Sequence, residues 1–220
     1  MEPLVQRLLD SPSAALHLQR VQAALAEERE RRLRFYAEVT EGEKAEFING
    51  EVVVHSPAKK RHQDASGRLL KLLSTYVQLH GLGWVGFEKV MLSLTRNDYE
   101  PDVCFFAAER AAAFTPDQMH FPAPDFVAEV LSPSTAHNDR GVKHEDYAAH
   151  GVTEYWLLDP EAETVEQYVL EGEPPEAAYA LRMKSASGEV VSVAVEGFVV
   201  PVRALFNDAA NLEALRTLLR

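Results

Sequence analysis

The stretch that most limits the fold runs from Glu100 to Tyr155; at its start two short apolar segments, YEPDVCFF and PDFVAEVL, are each entered through a proline and each carry an acid. Val- and Phe-rich segments of this length read as strands, and proline is tolerated at their first residue. Side chains alternate along a strand, so Asp102, Cys104 and Phe106 share one face, and Val127, Glu129 and Leu131 share a face of the next. If the two strands are neighbours, Asp102 and Glu129 converge. An acid inside an apolar strand is costly without a partner, and a divalent cation held by two carboxylates is one solution. Acids at strand ends, bonded to backbone or water, are the other, and the strand pattern alone leaves both open. Asp125 lies four residues before Glu129, about 13 Å along a strand, too far to share an ion with it.

The surrounding elements read in order. Residues 13–40 form a helix with a rough apolar stripe through Leu18, Val21 and Leu25 before the charged run EERERRLR, a solvated or partner-packing extension. EFINGEVVV places Asn49-Gly50 between two strand-like runs, the preferred pair for a two-residue hairpin because both positions take positive φ. In that hairpin Glu46 is either a third metal or water-positioning group or a plain edge-strand charge. Ala65, Leu69, Leu72, Leu73, Tyr76 and Leu79 recur at helical spacing and predict a core helix that stops at Gly81. WVGFEKVMLSL predicts one bent strand or two short ones, and a helix begins near Asp139, followed by the strand EYWLLD. The order α-β-β-β-α-β implies an α/β (α+β) fold with a mixed sheet flanked by helices. After Asp159 a β-rich meander and a short helix from about Asn207 extend or cover the sheet.

Charge and cysteine content narrow the chemistry. The 34 acidic and 22 basic residues give a formal charge of −12, so binding a polyanion requires a local basic patch. Lys59-Lys60-Arg61, with His62 at the helix start and Arg68 and Lys71 beyond, is the dense candidate for phosphate contact; solvated helix surface or, for His62, a helix cap is the plainer reading. The single cysteine, Cys104, excludes an internal disulfide and a cysteine-based zinc cluster. No apolar run is long enough to span a membrane, and the beginning of the chain lacks a signal-peptide pattern, so a cytoplasmic protein with no membrane partner is expected. There is no glycine-rich phosphate loop, no HExxH pair and no G-x-S-x-G elbow. Ser132-Pro133-Ser134 ends a strand and prepares a helix, and Cys104 reads as a buried, inert thiol.

PDVCFF, PDFVAEVLSPST and RGVKHEDYAAHGVTEYWLLDP, preceded by EFINGEVVVHSP, together resemble the Uma-two family of restriction-endonuclease-like proteins in the PD-(D/E)XK nuclease superfamily. The similarity runs from about Glu43 to Asp159 and more weakly to about Phe206. It implies a restriction-endonuclease-like core over residues 41–206, an N-terminal helical extension over 1–40 and a C-terminal helix over 207–220. The superfamily's lysine normally lies two residues after the second acid, where this chain has Leu131. The resemblance supports a displaced lysine, Lys143 on the following helix, with Tyr147 one turn later on the same face as a further DNA-binding residue. It further implies that Asp102, Glu129 and the backbone carbonyl of Val130 hold Mg²⁺, or Mn²⁺ in its place. Lys143 would orient the attacking water or offset charge on the phosphate, and Glu46 would support them. The expected substrate is DNA, cut to leave 5′-phosphate ends. Cutting two strands is simplest for a two-fold pair, so a homodimer is expected. Two other readings stand beside this one: an inactive nucleic-acid- or protein-binding module on the same scaffold, and a small phosphate-ester hydrolase, which would tolerate the negative charge better.

Overall fold

The computed structural model describes residues 3–40 and 44–220. The boundary expected at residue 41 falls within 41–43, outside the described residues. In chain order the elements are α1 (Pro3–Leu9), α2 (Ala14–Glu38), β1 (Ala45–Ile48), β2 (Glu51–Val54), α3 (Lys60–His80), β3 (Gly83–Phe87), β4 (Met91–Ser93), β5 (Asp98–Tyr99), β6 (Val103–Ala107) and α4 (Ala108–Ala111). They continue as β7 (His120–Phe121), β8 (Phe126–Val130), α5 (Ala136–Arg140), α6 (Val142–Ala149), β9 (Glu154–Asp159), β10 (Thr164–Glu171), β11 (Ala178–Ser185), β12 (Glu189–Val191), β13 (Val199–Pro201) and α7 (Asp208–Leu218). These fall into two compact units, Met1–His55 with Leu94–Tyr99, and Ser56–Ser93 with Glu100–Arg220.

In the first unit, β1 pairs antiparallel with β2 and with β5. The hairpin turns on Asn49 (φ 51°) and Gly50 (φ 87°), the left-handed pair that the Asn-Gly dipeptide predicts. The C-terminal half of α2 packs on this sheet through buried Phe35, which stacks on Phe47 at 5.8 Å. Arg32 grips the buried Asp98 carboxylate through Nε at 2.5 Å and Nη2 at 2.8 Å, and Tyr36 donates to it at 2.7 Å. A buried acid is tolerable when its oxygens are filled this way. Further up α2, Leu16, Leu18, Val21 and Leu25 are exposed, in keeping with an extension.

The second unit is built on a six-stranded mixed sheet in the order β11-β10-β9-β8-β6-β3. Only β8 and β9 run parallel; the other pairs are antiparallel. The α5–α6 pair makes the crossover that a parallel β8–β9 pair requires. Helix α3 supplies Ala65, Leu69, Leu72, Leu73 and Val77 to the same core as Phe105, Phe126, Ala128 and Trp156 of the sheet. Leu79, predicted in that stripe, is exposed, and Val77, one turn after Leu73, is buried in its place. Gly81 closes α3 at φ 65°, the left-handed conformation that favours glycine. The WVGFEKVMLSL run forms two strands, β3 and β4, divided at Glu88 and Lys89, both at positive φ. Strands β10 and β11 extend the sheet, and Asn207 caps α7 by accepting from the Ala210 N–H at 3.0 Å.

Two acids outside the first strand pair hold this unit together. Glu154 is completely buried on β9 and accepts from Trp156, Gln167 and Ser192 side chains and from the Val193 and Ala194 N–H groups, tying the 192–194 loop to the sheet. Glu166 on β10 takes both ends of the Arg140 guanidinium, at 2.6 and 2.8 Å, and the Lys184 ammonium at 2.8 Å. That fork fastens α5 to the sheet.

Leu72→Ala is expected to lower the unfolding free energy by about 2–5 kcal/mol, because a fully buried leucine leaves a cavity, as a urea titration would measure. The Arg140 bonds, with help from Lys184 and Tyr168, pull the Glu166 carboxyl from the usual 4.5 to about 2. An acid whose value is lower in the fold contributes stability that is complete above its unfolded value and lost as pH falls through the folded one. The stability of the wild type should therefore decline between about pH 4.5 and 2, and Glu166→Gln should flatten that part of a pH–stability curve.

Candidate active site

The register of the central strands decides where the two acids of the sequence pattern meet. Val103 on β6 faces Ala128 on β8, so one further step places Asp102, just before β6, beside Glu129. Their contacts cross: the Asp102 N–H donates to Glu129 Oε2 at 3.3 Å, and the Val130 N–H donates to Asp102 Oδ2 at 2.8 Å. Every residue of β8 is buried, Glu129 included. A carboxylate in such a strand requires donors delivered from an adjacent layer.

Helix α6 delivers them. Lys143 and Tyr147 are four residues apart and lie on one face. Lys143 Nζ reaches Glu129 Oε1 at 2.9 Å, and the Tyr147 hydroxyl donates to the same oxygen at 3.2 Å. Lys143 is only 2 % exposed, among the least exposed charged groups in the chain. Its ammonium also lies 3.4 Å from Asp139 Oδ1 on α5. His62, in the first turn of α3, places Nε2 at 3.2 Å from Asp102 Oδ1. Asp102, Glu129, Val130, Lys143, Tyr147 and His62 thus come together in the second unit.

Several of the remaining sequence candidates are engaged by other side chains. Glu46 belongs to the first unit, where its Oε2 pairs with His55 Nε2 at 3.0 Å. Lys59, Lys60 and Arg61 are exposed at the start of α3. Lys60 is paired with Asp64 at 2.6 Å and Arg61 with Glu161 at 3.4 Å, so part of the cluster's charge is already offset. Asp125 accepts from Arg110 and from the Ala107 N–H, a structural role. Ser132 bonds the Thr135 N–H and the Ser134 and Thr135 hydroxyls, shaping the approach to α5. Cys104 is buried, and burial pushes its thiol far above the ordinary range, so it is a poor nucleophile. Asp139 escaped the sequence reading; its spacing of four residues before Lys143 was the available signal.

Among the described residues no group of three or more His, Cys, Asp and Glu side chains is arranged to hold a metal ion. The Asp102–Glu129 pair offers two hard carboxylates beside the main chain of Val130. That donor chemistry fits Mg²⁺, which is bound through one or two carboxylates and keeps several waters.

The model of a family described as "Putative restriction endonuclease", Uma2, matches residues 28–203. An uncharacterized protein of Synechocystis sp. is 31% identical over 129 residues, covering 57% of this chain and 72% of its own length. The fold is similar to that of a "putative nuclease belonging to DUF820" from Anabaena variabilis, with a TM-score of 0.65, 18% identity, and coverage of 80% of this chain and 96% of that one.

Removing the Glu129 carboxylate leaves a buried ammonium short of a counter-charge. Glu129→Ala is therefore expected to cost about 3 kcal/mol of stability, and Glu129→Gln, which keeps an acceptor for Lys143, distinctly less. Urea unfolding of both variants measures the difference.

Proposed function

The chain belongs to the Uma2 family, and from that premise we propose that it is a metal-dependent endonuclease that hydrolyses phosphodiester bonds in DNA. The observation that carries the reading is the meeting of two carboxylates and a buried lysine, with Lys143 Nζ 2.9 Å from Glu129 Oε1 and Asp102 beside it. A structural ion pair needs one acid and one base; here a second acid stands next to the pair, just before a neighbouring strand.

In this reading Asp102, Glu129 and the backbone carbonyl of Val130 hold Mg²⁺, with Mn²⁺ able to replace it. The ion supplies Lewis-acid activation of the phosphodiester and of its own water. Lys143, held on α6, orients the attacking water or offsets negative charge as it builds on the phosphate. Tyr147 fixes Glu129 from the same helix face, and His62 steadies Asp102 from the start of α3. Lys59, Lys60 and Arg61 contact phosphates of the DNA, the last two after exchange of Asp64 and Glu161 for phosphate. Glu46, on β1 of the first unit, is proposed as a further metal- or water-positioning carboxylate. Cutting both strands of a duplex is simplest for two copies related by two-fold symmetry, so a homodimer is the working assembly.

A second reading, a binding module that has lost turnover, draws on Leu131 at the superfamily's lysine position and on the formal charge of −12. The two differ in what they do to a plasmid. With Mg²⁺ or Mn²⁺ the wild type should nick and linearise supercoiled DNA. Asp102→Asn should abolish cutting, and Lys143→Ala should slow it by about 10²–10⁴-fold, the range for losing a group that handles protons in the reaction. Cutting that survives Lys143→Ala unchanged would end the lysine's proposed role. Absence of cutting, with duplex binding that weakens steeply with salt in an anisotropy titration, would replace the enzyme by the binding module.

A further inference from the structure

We infer that Asp139 is a positioning residue for this reaction, holding the Lys143 ammonium in register with Glu129; the inference rests on the endonuclease reading above. Lysine is a flexible side chain with a compact charged head, and a single partner leaves that head free to pivot. Here Nζ lies between two acids, 2.9 Å from Glu129 Oε1 and 3.4 Å from Asp139 Oδ1. All three side chains are at least 95% buried.

The position of Asp139 is itself determined. It sits on α5, four residues before Lys143 on α6, and the two helices meet at Gly141. A Cβ at Gly141 would come within 2.8 Å of the His137 carbonyl oxygen, so the close joint that lets Asp139 reach Lys143 excludes other residues there. From the sheet, the Tyr155 hydroxyl on β9 donates to the Asp139 carbonyl oxygen at 3.0 Å. The Tyr155 ring meets Tyr147 edge-on at 5.4 Å, and Tyr147 donates to the same Glu129 oxygen that Lys143 does. Glu129, Lys143, Asp139, Tyr155 and Tyr147 therefore close a ring of contacts linking α5, α6, β8 and β9. When Glu129 is drawn toward a cation, Asp139 is the acid that keeps Nζ in place.

A double-mutant cycle on plasmid cleavage with Mg²⁺ tests this, using wild type, Asp139→Asn, Lys143→Ala and the double variant. If Asp139 acts through Lys143, Asp139→Asn lowers kcat by about 10-fold or more, with KM for DNA within about twofold, and has no further effect once Lys143 is gone. Asp139→Glu, which retains the charge, should recover part of the loss. The same loss in both backgrounds, or wild-type kcat in Asp139→Asn, overturns the inference and leaves the nuclease standing. A wild type that does not cut overturns the nuclease reading and the inference with it. Should Asp139→Asn fail to give a cooperative thermal transition, Tyr155→Phe replaces it. That change removes only the hydroxyl that donates to the Asp139 carbonyl, and it should lower kcat several-fold in the presence of Lys143 and not in its absence.

Discussion

The second unit depends on keeping a carboxylate in the middle of its most buried strand. Strand β8 lies between β6 and β9, and all of its residues are shielded from water. A hydrocarbon at position 129 would pack there at no electrostatic cost, whereas Glu129 requires donors from outside its own strand. The α5–α6 crossover meets that demand with Lys143 and Tyr147, and the residue just before β6 adds the Asp102 N–H. The need for those donors in turn fixes which face of α6 is buried.

The other buried acids show what a purely structural solution looks like in this chain. Glu154 is saturated by five donors, three from side chains and two from the backbone. Asp98 is filled by an arginine fork and a tyrosine, and Glu166 by an arginine fork, a lysine and a tyrosine. In each of these the donors equal or outnumber the charge they satisfy. Around Lys143 the grouping differs: Glu129 and Asp139 share one ammonium, and Asp102, just before β6, stands beside Glu129 with the Val130 N–H and His62 on its oxygens. Hard carboxylate oxygens gathered in one buried place are donors of the kind that Mg²⁺ takes.

A lysine reaches Glu129 from the crossover helix and not from its own strand, for a geometric reason. Two residues after Glu129 the chain has already left β8 at Leu131, whose N–H bonds the Leu158 carbonyl oxygen. A helix that crosses above the same strand can bring an ammonium to Glu129 just as closely, because the four-carbon stem of lysine spans the gap between layers. The basic cluster at the start of α3 follows the opposite logic: its residues are adjacent in sequence, yet Asp64 and Glu161 already take up part of their charge.

What the sequence determined by itself was local. The Asn-Gly hairpin, the glycine stop of α3, the Asn207 cap and the two proline-led strands follow from φ preferences, capping chemistry and alternation of apolar residues, which neighbours in the chain suffice to express. The face shared by Lys143 and Tyr147 was legible too, since a helix repeats every 3.6 residues whatever it packs against. Only the tertiary structure decided which of the chain's many acids lie together. Asp102 meets Glu129 because β6 and β8 pair in one register out of several, and His62 reaches Asp102 across 40 residues of sequence. Asp139, hidden among ordinary helix acids in the sequence, becomes a partner of Lys143 through the joint at Gly141. Strand register and helix crossover set those distances, and both arise from packing the whole core, a condition no single segment of the chain encodes.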